Sequence, residues 1–293
     1  MRAGTSRGIR ERALRALDRV SLLRPAYRGY EVLGALRARD GGPSEADGLP
    51  LPPARLRIAV AGTPDAEWFL ESGRQQATMI REAFSRHGTV LAEVDRLLDF
   101  GCGCGRVTRH WAGLECPEIH GSDYNRRVVR WCAANLRFGH FSVNGLAPPL
   151  GHPAEFFDAV YGISVVTHLP EALQRDWIAE LARVLKPGGL LLLTTHGTSY
   201  AGRLTPEERD RYAAGEVVVR WAGVAGTNLC TAFHPETYVR ERLAPELELL
   251  ELAAEGAAVG SPPQDLVVFK KPRATGMATP PGPVPPTSSP RRS

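Results

Sequence analysis

From residue 94 onward, short apolar runs typical of buried strands alternate with amphipathic runs typical of helices. The strand-like runs are 96–100, 118–123, 141–144, 157–164 and 189–195, and the helical runs are 104–113, 124–136 and 169–185. Because strands that alternate with helices form parallel sheets covered on both faces, we predict a three-layer α/β/α fold. Two closing runs, 247–252 and 265–270, have no helix between them and suit an antiparallel edge.

The segments around this alternation differ from it in composition. Residues 1–40 are predicted to form a basic helical arm, 41–54 a linker rich in Gly and Pro, and 272–293 a disordered tail with seven prolines. The run 55–63 suggests a short strand, and 65–88 a helix, or two helices broken near Ser72–Gly73. The β-like runs 216–221 and 228–233 predict a hairpin insertion within 197–233, so the main domain is expected to span 55–271.

The net charge of +4 is concentrated near the N-terminus. Eight arginines against Glu11 and Asp18 give residues 1–30 a charge of +6, which leaves 4 − 6 = −2 for the rest of the chain. A mildly acidic body argues against nucleic acid as a partner of the whole protein. The arm is interpreted either as a solvated helix or as a helix that makes weak contact with an anionic membrane surface.

Composition and cysteine content suggest a soluble cytoplasmic protein, 43% of whose residues are hydrophobic. No apolar run reaches the ~18 residues needed to span a bilayer, and the N-terminus lacks the apolar part of a secretory signal. The five cysteines are an odd number without framework spacing, so we expect reduced thiols. The oligomeric state is left open.

Polar residues and glycines follow each predicted strand, where ligands of such sheets bind. The loop "GCGCG" (101–105) has Arg106 where a dinucleotide motif places its third glycine, so the loop alone is a weak signal. Asp99, just before it, would repel a pyrophosphate but suits a ligand with an ammonium group. Asp123, after the second strand, can accept hydrogen bonds from both hydroxyls of a ribose. The C-x-C pair has no partner pair at zinc spacing, so we expect no metal and interpret the thiols as small fillers.

Five motifs now stand in order: "LLDFGCGCGR", "GSDYN", "SVNGL", "FDAVYGISVVTHL" and "LKPGGLLLLT". In this order and spacing they resemble the class I S-adenosylmethionine-dependent methyltransferases, in particular the branch that acts on small molecules. The resemblance covers roughly residues 94–196 and, more loosely, 66–271. It implies a Rossmann-like, doubly wound sheet of seven strands with the last strand antiparallel.

The resemblance also implies roles for individual residues. Those near the methionine part of the cofactor are Asp99, Gly101, Cys102, Gly103 and Gly105. Asp123 would hold the ribose, with Tyr124 beside the adenine, and the residues near the adenine amino group would be Asn144, Gly145 and Leu146. Gly162 and Ile163 would flank the transferred methyl group. Asp99 and Asp123 could instead cap the helices that follow them, and Asn144 could be a plain turn residue.

The acceptor side is less defined by the sequence. His168 follows the fourth strand of the alternation and His196 ends the fifth, so both are candidate general bases for an alcohol nucleophile. Candidate substrate contacts outside these positions are Trp68, Arg74, Tyr200, Asn228 and His234. Trp68 and Arg74 would also cover the cofactor and meet its carboxylate.

These observations favour a methyltransferase that uses S-adenosylmethionine to methylate a small-molecule acceptor, such as the hydroxyl of a sugar or natural product. A protein acceptor remains open. The alternative from another class is a module that binds the cofactor without catalysis, or a scaffold protein. A nicotinamide-dependent dehydrogenase is disfavoured by the glycine spacing and by Asp99.

Overall fold

The computed structural model describes residues 13–14, 16–18, 22–37, 44–114, 117–257, 260 and 262–273. Its helices are α1 (Leu23–Arg37), α2 (Ala54–Ala61), α3 (Ala66–Arg86), α4 (Arg126–Asn135), α5 (Glu171–Val184), α6 (Pro206–Ala213) and α7 (Glu236–Glu241). Its strands are β1 (Glu45–Ala46), β2 (Leu49–Pro50), β3 (Arg96–Phe100), β4 (Glu118–Asp123), β5 (Gly139–Val143), β6 (Phe157–Gly162), β7 (Leu185–Thr195), β8 (Val218–Arg220), β9 (Thr231–Phe233), β10 (Glu248–Ala253) and β11 (Asp265–Lys270). Part of the predicted arm 1–40, and all but the first two residues of the predicted tail 272–293, lie outside the described residues.

Seven strands form one sheet in the order β10-β11-β7-β6-β3-β4-β5. The strands from β3 to β7 run parallel to their neighbours, whereas β11 is antiparallel to both β7 and β10. This arrangement confirms the predicted doubly wound, mostly parallel α/β fold with an antiparallel end. After β5 the chain crosses back to place β6 on the other side of β3, so the strand order reverses there. A crevice for ligands is expected beyond the carboxyl ends of β3 and β6.

The core lies on both faces of the sheet because successive strand side chains point in opposite directions. In β7, Leu191 packs in a cluster with Trp177 of α5, while its neighbour Leu192 packs in a second cluster with Ile80 of α3. All four side chains are at most 1% exposed. Burial on both faces explains why these strands are continuous apolar runs in the sequence.

The predicted strand over 55–63 is wrong, because this segment forms α2. Its alternation of arginines with apolar residues resembles a half-buried strand, yet Leu56 and Val60, four residues apart, pack into the same apolar cluster. Arg57, which a strand would expose, is buried at 4% exposure. Its guanidinium donates hydrogen bonds to the carbonyl oxygens of Pro52 at 2.5 Å and Pro64 at 2.8 Å. Arg57 thus closes the turns on both sides of the helix.

The segment predicted to be a linker is held to the domain. Its described part contains the two-residue strands β1 and β2, paired as a hairpin. Arg109 donates hydrogen bonds to the carbonyl oxygens of Ala46 at 2.7 Å, Leu49 at 3.2 Å and Pro50 at 3.2 Å. The hairpin therefore packs beside residues 101–105, here called the glycine loop, since Arg109 is four residues after that loop.

Two helix predictions around the glycine loop are also corrected. Instead of a helix over 104–113, the chain makes turns and one 3-10 helix at Thr108–Trp111, because Gly105 has a φ of +75°. The helix α3, in contrast, is continuous through Ser72–Gly73. A Cβ at Gly73 would lie 2.1 Å from the carbonyl oxygen of Arg106, so this glycine allows α3 to pack closely rather than breaking it.

The insertion between β7 and α7 contains α6 and a hairpin of β8 and β9, as predicted. The connection between the two strands, residues 221–230, is here called the hairpin loop. Its Val224 and Cys230 pack with Leu23 of α1. On its other side the Gly226 amide donates a hydrogen bond to the carbonyl oxygen of His168 at 2.8 Å. The hairpin loop therefore lies between α1 and the carboxyl end of the sheet.

Candidate functional site

A cleft of about 340 Å³ opens beyond the carboxyl ends of β3, β4 and β6, at the reversal of strand order. Many of the residues predicted from sequence line it: Trp68, Asp99, Gly101, Cys102, Gly103, Asp123, Tyr124, Asn144, Gly145, Leu146, Ile163, His168 and Asn228. Six predicted residues do not line it: Arg74, Gly105, Gly162, His196, Tyr200 and His234. The glycine loop is at its centre.

The glycine loop turns sharply from β3 across the end of β4. Gly101 has a φ of +76°, and its amide donates a hydrogen bond to the carbonyl oxygen of Ser122 at 2.8 Å. A Cβ at Gly101 would lie 2.4 Å from Cγ2 of Val165 on the opposite wall. Gly105 faces away from the cleft, since a Cβ there would meet Leu136 at 2.4 Å. Gly101 therefore keeps the cleft open, whereas Gly105 serves the packing of α4.

Asp99 is the next-to-last residue of β3, and it is buried at 4% exposure. The Thr108 hydroxyl donates a hydrogen bond to its Oδ2 at 2.5 Å. Burial raises the pKa of Asp99 to about 6, an effect that the hydrogen bonds from Thr108 and Tyr161 and the charge of Arg106 oppose. A buried carboxylate whose pKa is raised in this way gains by pairing with a cation.

Asp123 ends β4 next to Asp99 and lines the same cleft. Its Oδ2 accepts a hydrogen bond from the Gly103 amide at 3.0 Å, and its Oδ1 accepts one from the Asn125 amide at 2.7 Å. Burial raises the pKa of Asp123 to about 6, and these two amides oppose that shift. Each oxygen retains a lone pair, so the carboxylate can still accept two hydrogen bonds from a ligand.

The far end of the cleft combines an aromatic ring with an amide. The backbone amide of Asn144 donates a hydrogen bond to the carbonyl oxygen of Asp123 at 3.2 Å. Its side-chain Oδ1 is buried without a hydrogen-bond partner among the described residues. The hydroxyl of Tyr124 donates to the carbonyl oxygen of Gly226 at 2.7 Å, so the hairpin loop covers this end. The orphaned oxygen of Asn144 can accept a hydrogen bond from an amino group of a ligand.

Arg106 is a cleft residue that the sequence analysis did not propose. Its guanidinium lies 5.7 Å from the ring centroid of Trp68 and donates to the Ser72 hydroxyl at 3.3 Å. Burial lowers the pKa of Arg106 to about 10, so it remains charged at neutral pH. Arg74, which was predicted for the same task, lies outside the cleft and pairs with Glu71 at 2.7 Å. The residue that replaces the third glycine of a dinucleotide motif is thus the cation of this cleft.

His168 lines the cleft where the hairpin loop meets the end of β6. Its Nδ1 lies 2.6 Å from the carbonyl oxygen of Cys230. Since a carbonyl can only accept, Nδ1 carries the proton and Nε2 has a free lone pair. Burial lowers the pKa of His168, so the neutral form that can take up a proton predominates at neutral pH.

His196 is not in the cleft, contrary to its prediction as a general base. Its Nδ1 donates to the carbonyl oxygen of Ala232 at 3.0 Å, and its Nε2 lies 3.2 Å from Nε2 of Gln264. Burial, with His168 and His234 nearby, lowers the pKa of His196 to about 2. Since Nδ1 carries the proton, Nε2 accepts from the Gln264 amide and has no lone pair left for a substrate. His196 therefore supports the wall of the cleft.

The wall that His196 supports contains Ser164 and Gln264, which the sequence analysis missed. Ser164 has a φ of +58° and donates from its hydroxyl to Oε1 of Gln264 at 3.1 Å. The tautomer of His196 fixes the orientation of the Gln264 amide, and this amide in turn fixes the direction of the Ser164 hydroxyl. Because the hydroxyl proton of Ser164 is already donated to Gln264, this hydroxyl can only accept a hydrogen bond from a ligand.

The other predicted contacts on the acceptor side have structural partners. His234 is buried at 1% exposure, and its Nε2 lies 3.2 Å from Oε1 of Gln174. Tyr200 stacks on His196 with ring centroids 4.0 Å apart. Asn228 does line the cleft and donates to the carbonyl oxygen of Ala59 at 3.4 Å, which ties the hairpin loop to α2. Gly162 is buried within the sheet, where a Cβ would lie 3.2 Å from Leu193.

The polar groups of the cleft fit S-adenosylmethionine, the cofactor implied by the sequence resemblance. Asp99 offers a buried anion for the ammonium group and Arg106 a cation for the carboxylate. Asp123 offers two acceptors for the ribose hydroxyls, and the orphaned oxygen of Asn144 offers one for the adenine amino group. Cys102 and Cys104 are buried thiols that fill the loop.

Within the described residues, no helix is both long and apolar enough to cross a membrane.

Comparison with known proteins agrees with this geometry. Residues 98–193 match the family model for a methyltransferase domain. The chain is 31% identical over 121 residues to sterol 24-C-methyltransferase of Candida albicans, covering 40% of this chain and 32% of that protein. It is 33% identical over 123 residues to the ubiquinone/menaquinone biosynthesis C-methyltransferase UbiE of Stutzerimonas stutzeri, covering 37% and 42%. It is 26% identical over 138 residues to the O-methyltransferase cnsE of Penicillium expansum, covering 43% and 48%.

The matches share one region of this chain. The family model begins within β3 and ends within β7, so it contains the glycine loop and both strand-end carboxylates. The chain spans about a third to a half of the length of these curated relatives. Together with the order and direction of the seven strands, the match shows that the chain carries a methyltransferase domain of the class I, S-adenosylmethionine-dependent family.

Proposed function

We propose that this protein transfers a methyl group from S-adenosylmethionine to the hydroxyl of a small molecule, with His168 as the general base. The observation that carries the proposal is the pair of carboxylates at neighbouring strand ends on either side of the glycine loop, Asp99 buried and Asp123 half-buried. A site for a pyrophosphate would not keep two anions there. A ligand with one ammonium group and two vicinal hydroxyls satisfies both.

Each end of the cofactor is assigned to residues of the cleft. Asp99 would pair with the ammonium and Arg106 with the carboxylate of the methionine part. Asp123 would hold the ribose, while Tyr124 and Asn144 would hold the adenine. The sulfonium of S-adenosylmethionine supplies an electrophilic methyl group with a leaving group that needs no activation. The protein therefore has to orient an acceptor in line with the methyl and remove its proton.

The acceptor is assigned from the hydrogen-bonding direction of the remaining cleft residues. The lone pair on Nε2 of His168 and those on Oγ of Ser164 can only accept hydrogen bonds, for the reasons given above. A hydroxyl donates one hydrogen bond and must lose its proton during methyl transfer, so it matches this wall. The hairpin loop closes the cleft from above through its bonds to Tyr124 and His168, which favours a small molecule over a protein segment.

Calorimetric titration tests the cofactor assignment. The protein should bind S-adenosylmethionine at one site, and Asp123→Asn should weaken binding by about tenfold or more, because a charged acceptor of the ribose is lost. Glu118→Gln replaces an exposed carboxylate at the other end of β4 and is the matched control, expected to leave affinity unchanged. Binding of NAD without binding of S-adenosylmethionine would overturn the assignment.

Release of S-adenosylhomocysteine with a panel of hydroxyl- and amine-bearing small molecules tests the acceptor class. For an active acceptor, His168→Gln should lower kcat by about 10²- to 10⁴-fold and leave cofactor affinity intact. It should also remove the decline of kcat at low pH. His140→Gln changes an exposed histidine on β5 and should have no effect. Cofactor binding without turnover of any acceptor would instead support a binding module, and turnover of amines alone would contradict the hydroxyl assignment.

A further inference from the structure

We propose that α1 is a docking surface for an anionic lipid bilayer. Four of the exposed large hydrophobic side chains in the described residues lie on α1 or directly before it: Leu22, Tyr30, Val32 and Leu33, exposed at 53%, 67%, 52% and 53%. They lie within a stretch of twelve residues. Exposed apolar side chains are common singly, but a contiguous group of them indicates an interaction surface.

Helical geometry places these side chains on one face. Leu22, Ala26, Gly29 and Leu33 follow at steps of four, three and four residues, which is the repeat of one helix face. Pro25, Tyr30 and Val32 flank this line. All seven residues are exposed, and none is charged. The first turn of α1 is anchored, since Leu23 is 2% exposed and packs with the hairpin loop.

The charge of the surrounding segment complements an anionic surface. Residues 1–30 have a net charge of +6, while the rest of the chain has about −2. Within α1, Arg28 is exposed beside the apolar face. An apolar helix face flanked by arginines is the composition of helices that lie in the headgroup region of a membrane. An acidic body would be repelled from the same lipids, so the helix should approach them first.

The position of α1 brings this surface close to the cleft. The guanidinium of Arg24 donates to the carbonyl oxygens of Gly223 at 3.2 Å and Ala225 at 3.4 Å in the hairpin loop. A Cβ at Gly34 would lie 4.0 Å from Cγ2 of Ile58 in α2, the helix whose last residues line the cleft. A membrane bound to α1 would therefore lie beside two elements that border the cleft.

Vesicle flotation with the full-length protein tests the proposal. We expect binding to phosphatidylcholine vesicles that contain about 30% phosphatidylglycerol, weak binding to pure phosphatidylcholine, and loss of binding between about 50 and about 500 mM salt. The double substitution Tyr30→Ser/Leu33→Ser should lower the partition coefficient by about thirtyfold. Arg28→Ala should lower it about fivefold.

Matched controls remove exposed apolar side chains elsewhere. Val90→Ser and Val143→Ser replace side chains that are 46% and 43% exposed outside α1, and they should leave partitioning unchanged. Equal melting temperatures would show that the variants are folded. No binding to anionic vesicles, or binding that the double substitution does not alter, overturns the proposal. Absence of vesicle binding together with a dimer that the double substitution disrupts would assign the face to a second copy of the chain instead. None of these measurements requires S-adenosylmethionine.

Discussion

Replacement of Asp99 by asparagine should stabilise the protein at neutral pH while it weakens cofactor binding. The carboxylate is buried at the end of β3 without a cation in direct contact in the described structure. Burial raises its pKa from 3.8 to about 6. A carboxyl group with a raised pKa in the folded state binds a proton more tightly there than in the unfolded chain. It therefore lowers the free energy of unfolding as the pH rises from about 4 to above 6.

The size of this effect follows from the shift. About two pKa units correspond to roughly 3 kcal/mol, which is absent near pH 4 and fully developed above pH 7. Asp99→Asn removes this loss but turns an amide N–H toward the hydroxyl of Thr108 or of Tyr161, which costs about 1 kcal/mol at any pH. The variant should therefore be more stable than the parent by about 2 kcal/mol near pH 7.5 and slightly less stable near pH 4.

Urea unfolding of both proteins at these two pH values measures the difference. The gap in the free energy of unfolding should change by about 3 kcal/mol, with asparagine favoured at the higher pH. Asp210→Asn, an exposed carboxylate on α6, is the matched control and should show no such change. A gap that does not depend on pH would refute the reasoning, because Asp99 would then not be a buried ionised group. Calorimetry should show weaker binding of S-adenosylmethionine to Asp99→Asn at pH 7.5.

Three further outcomes are expected. Gly101→Ala should lower the free energy of unfolding by about 2–4 kcal/mol in urea, because it combines a positive φ with a close wall, whereas Gly113→Ala, with open space around it, should change it little. Arg106→Met should weaken S-adenosylmethionine binding by about tenfold or more in calorimetry, and Arg74→Met should not. Tyr124→Phe should remove about 1 kcal/mol from the closure of the hairpin loop, seen as faster cofactor dissociation in stopped-flow fluorescence; an unchanged rate would contradict this role.

The strands of the parallel sheet and the carboxylates at two of their ends were predictable from sequence because they depend on local patterns. A buried parallel strand requires a continuous apolar run, and Asp99 and Asp123 each follow such a run directly. Because neighbouring parallel strands end on the same side of a sheet, both acids lie at the carboxyl ends of the strands. The antiparallel end was also predictable, because no helix separates β10 from β11.

The acceptor side was not predictable in the same way, because its partners are far apart in sequence. His196 directly follows a strand, β7, but the hairpin insertion covers it through the carbonyl oxygen of Ala232. Ser164 and Gln264 are 100 residues apart, and their hydrogen bond depends on how β11 pairs with β7. The prediction for Arg74 was wrong for a different reason. Arg74 lies on the solvent side of α3, and the sequence did not show which side of this helix faces the cleft.

The segment before the glycine loop shows a further limit of sequence patterns. Alternation of arginines with apolar residues in 55–61 has the period of a strand, and only the two carbonyl oxygens bound by Arg57 show why an arginine points inward. Gly73 likewise resembled a helix breaker because the contact that requires it, the backbone of Arg106, is supplied from another part of the chain.

The bond between His168 and Cys230 has a consequence for redesign. The histidine lies after β6 within residues 98–193, which match the methyltransferase family model, while the carbonyl that sets its tautomer belongs to the insertion. A graft of another insertion would therefore change the shape of the cleft wall and the tautomer of this histidine in a single step. Engineering of a new acceptor preference should keep the backbone at Gly226 and Cys230 and vary the side chains between them.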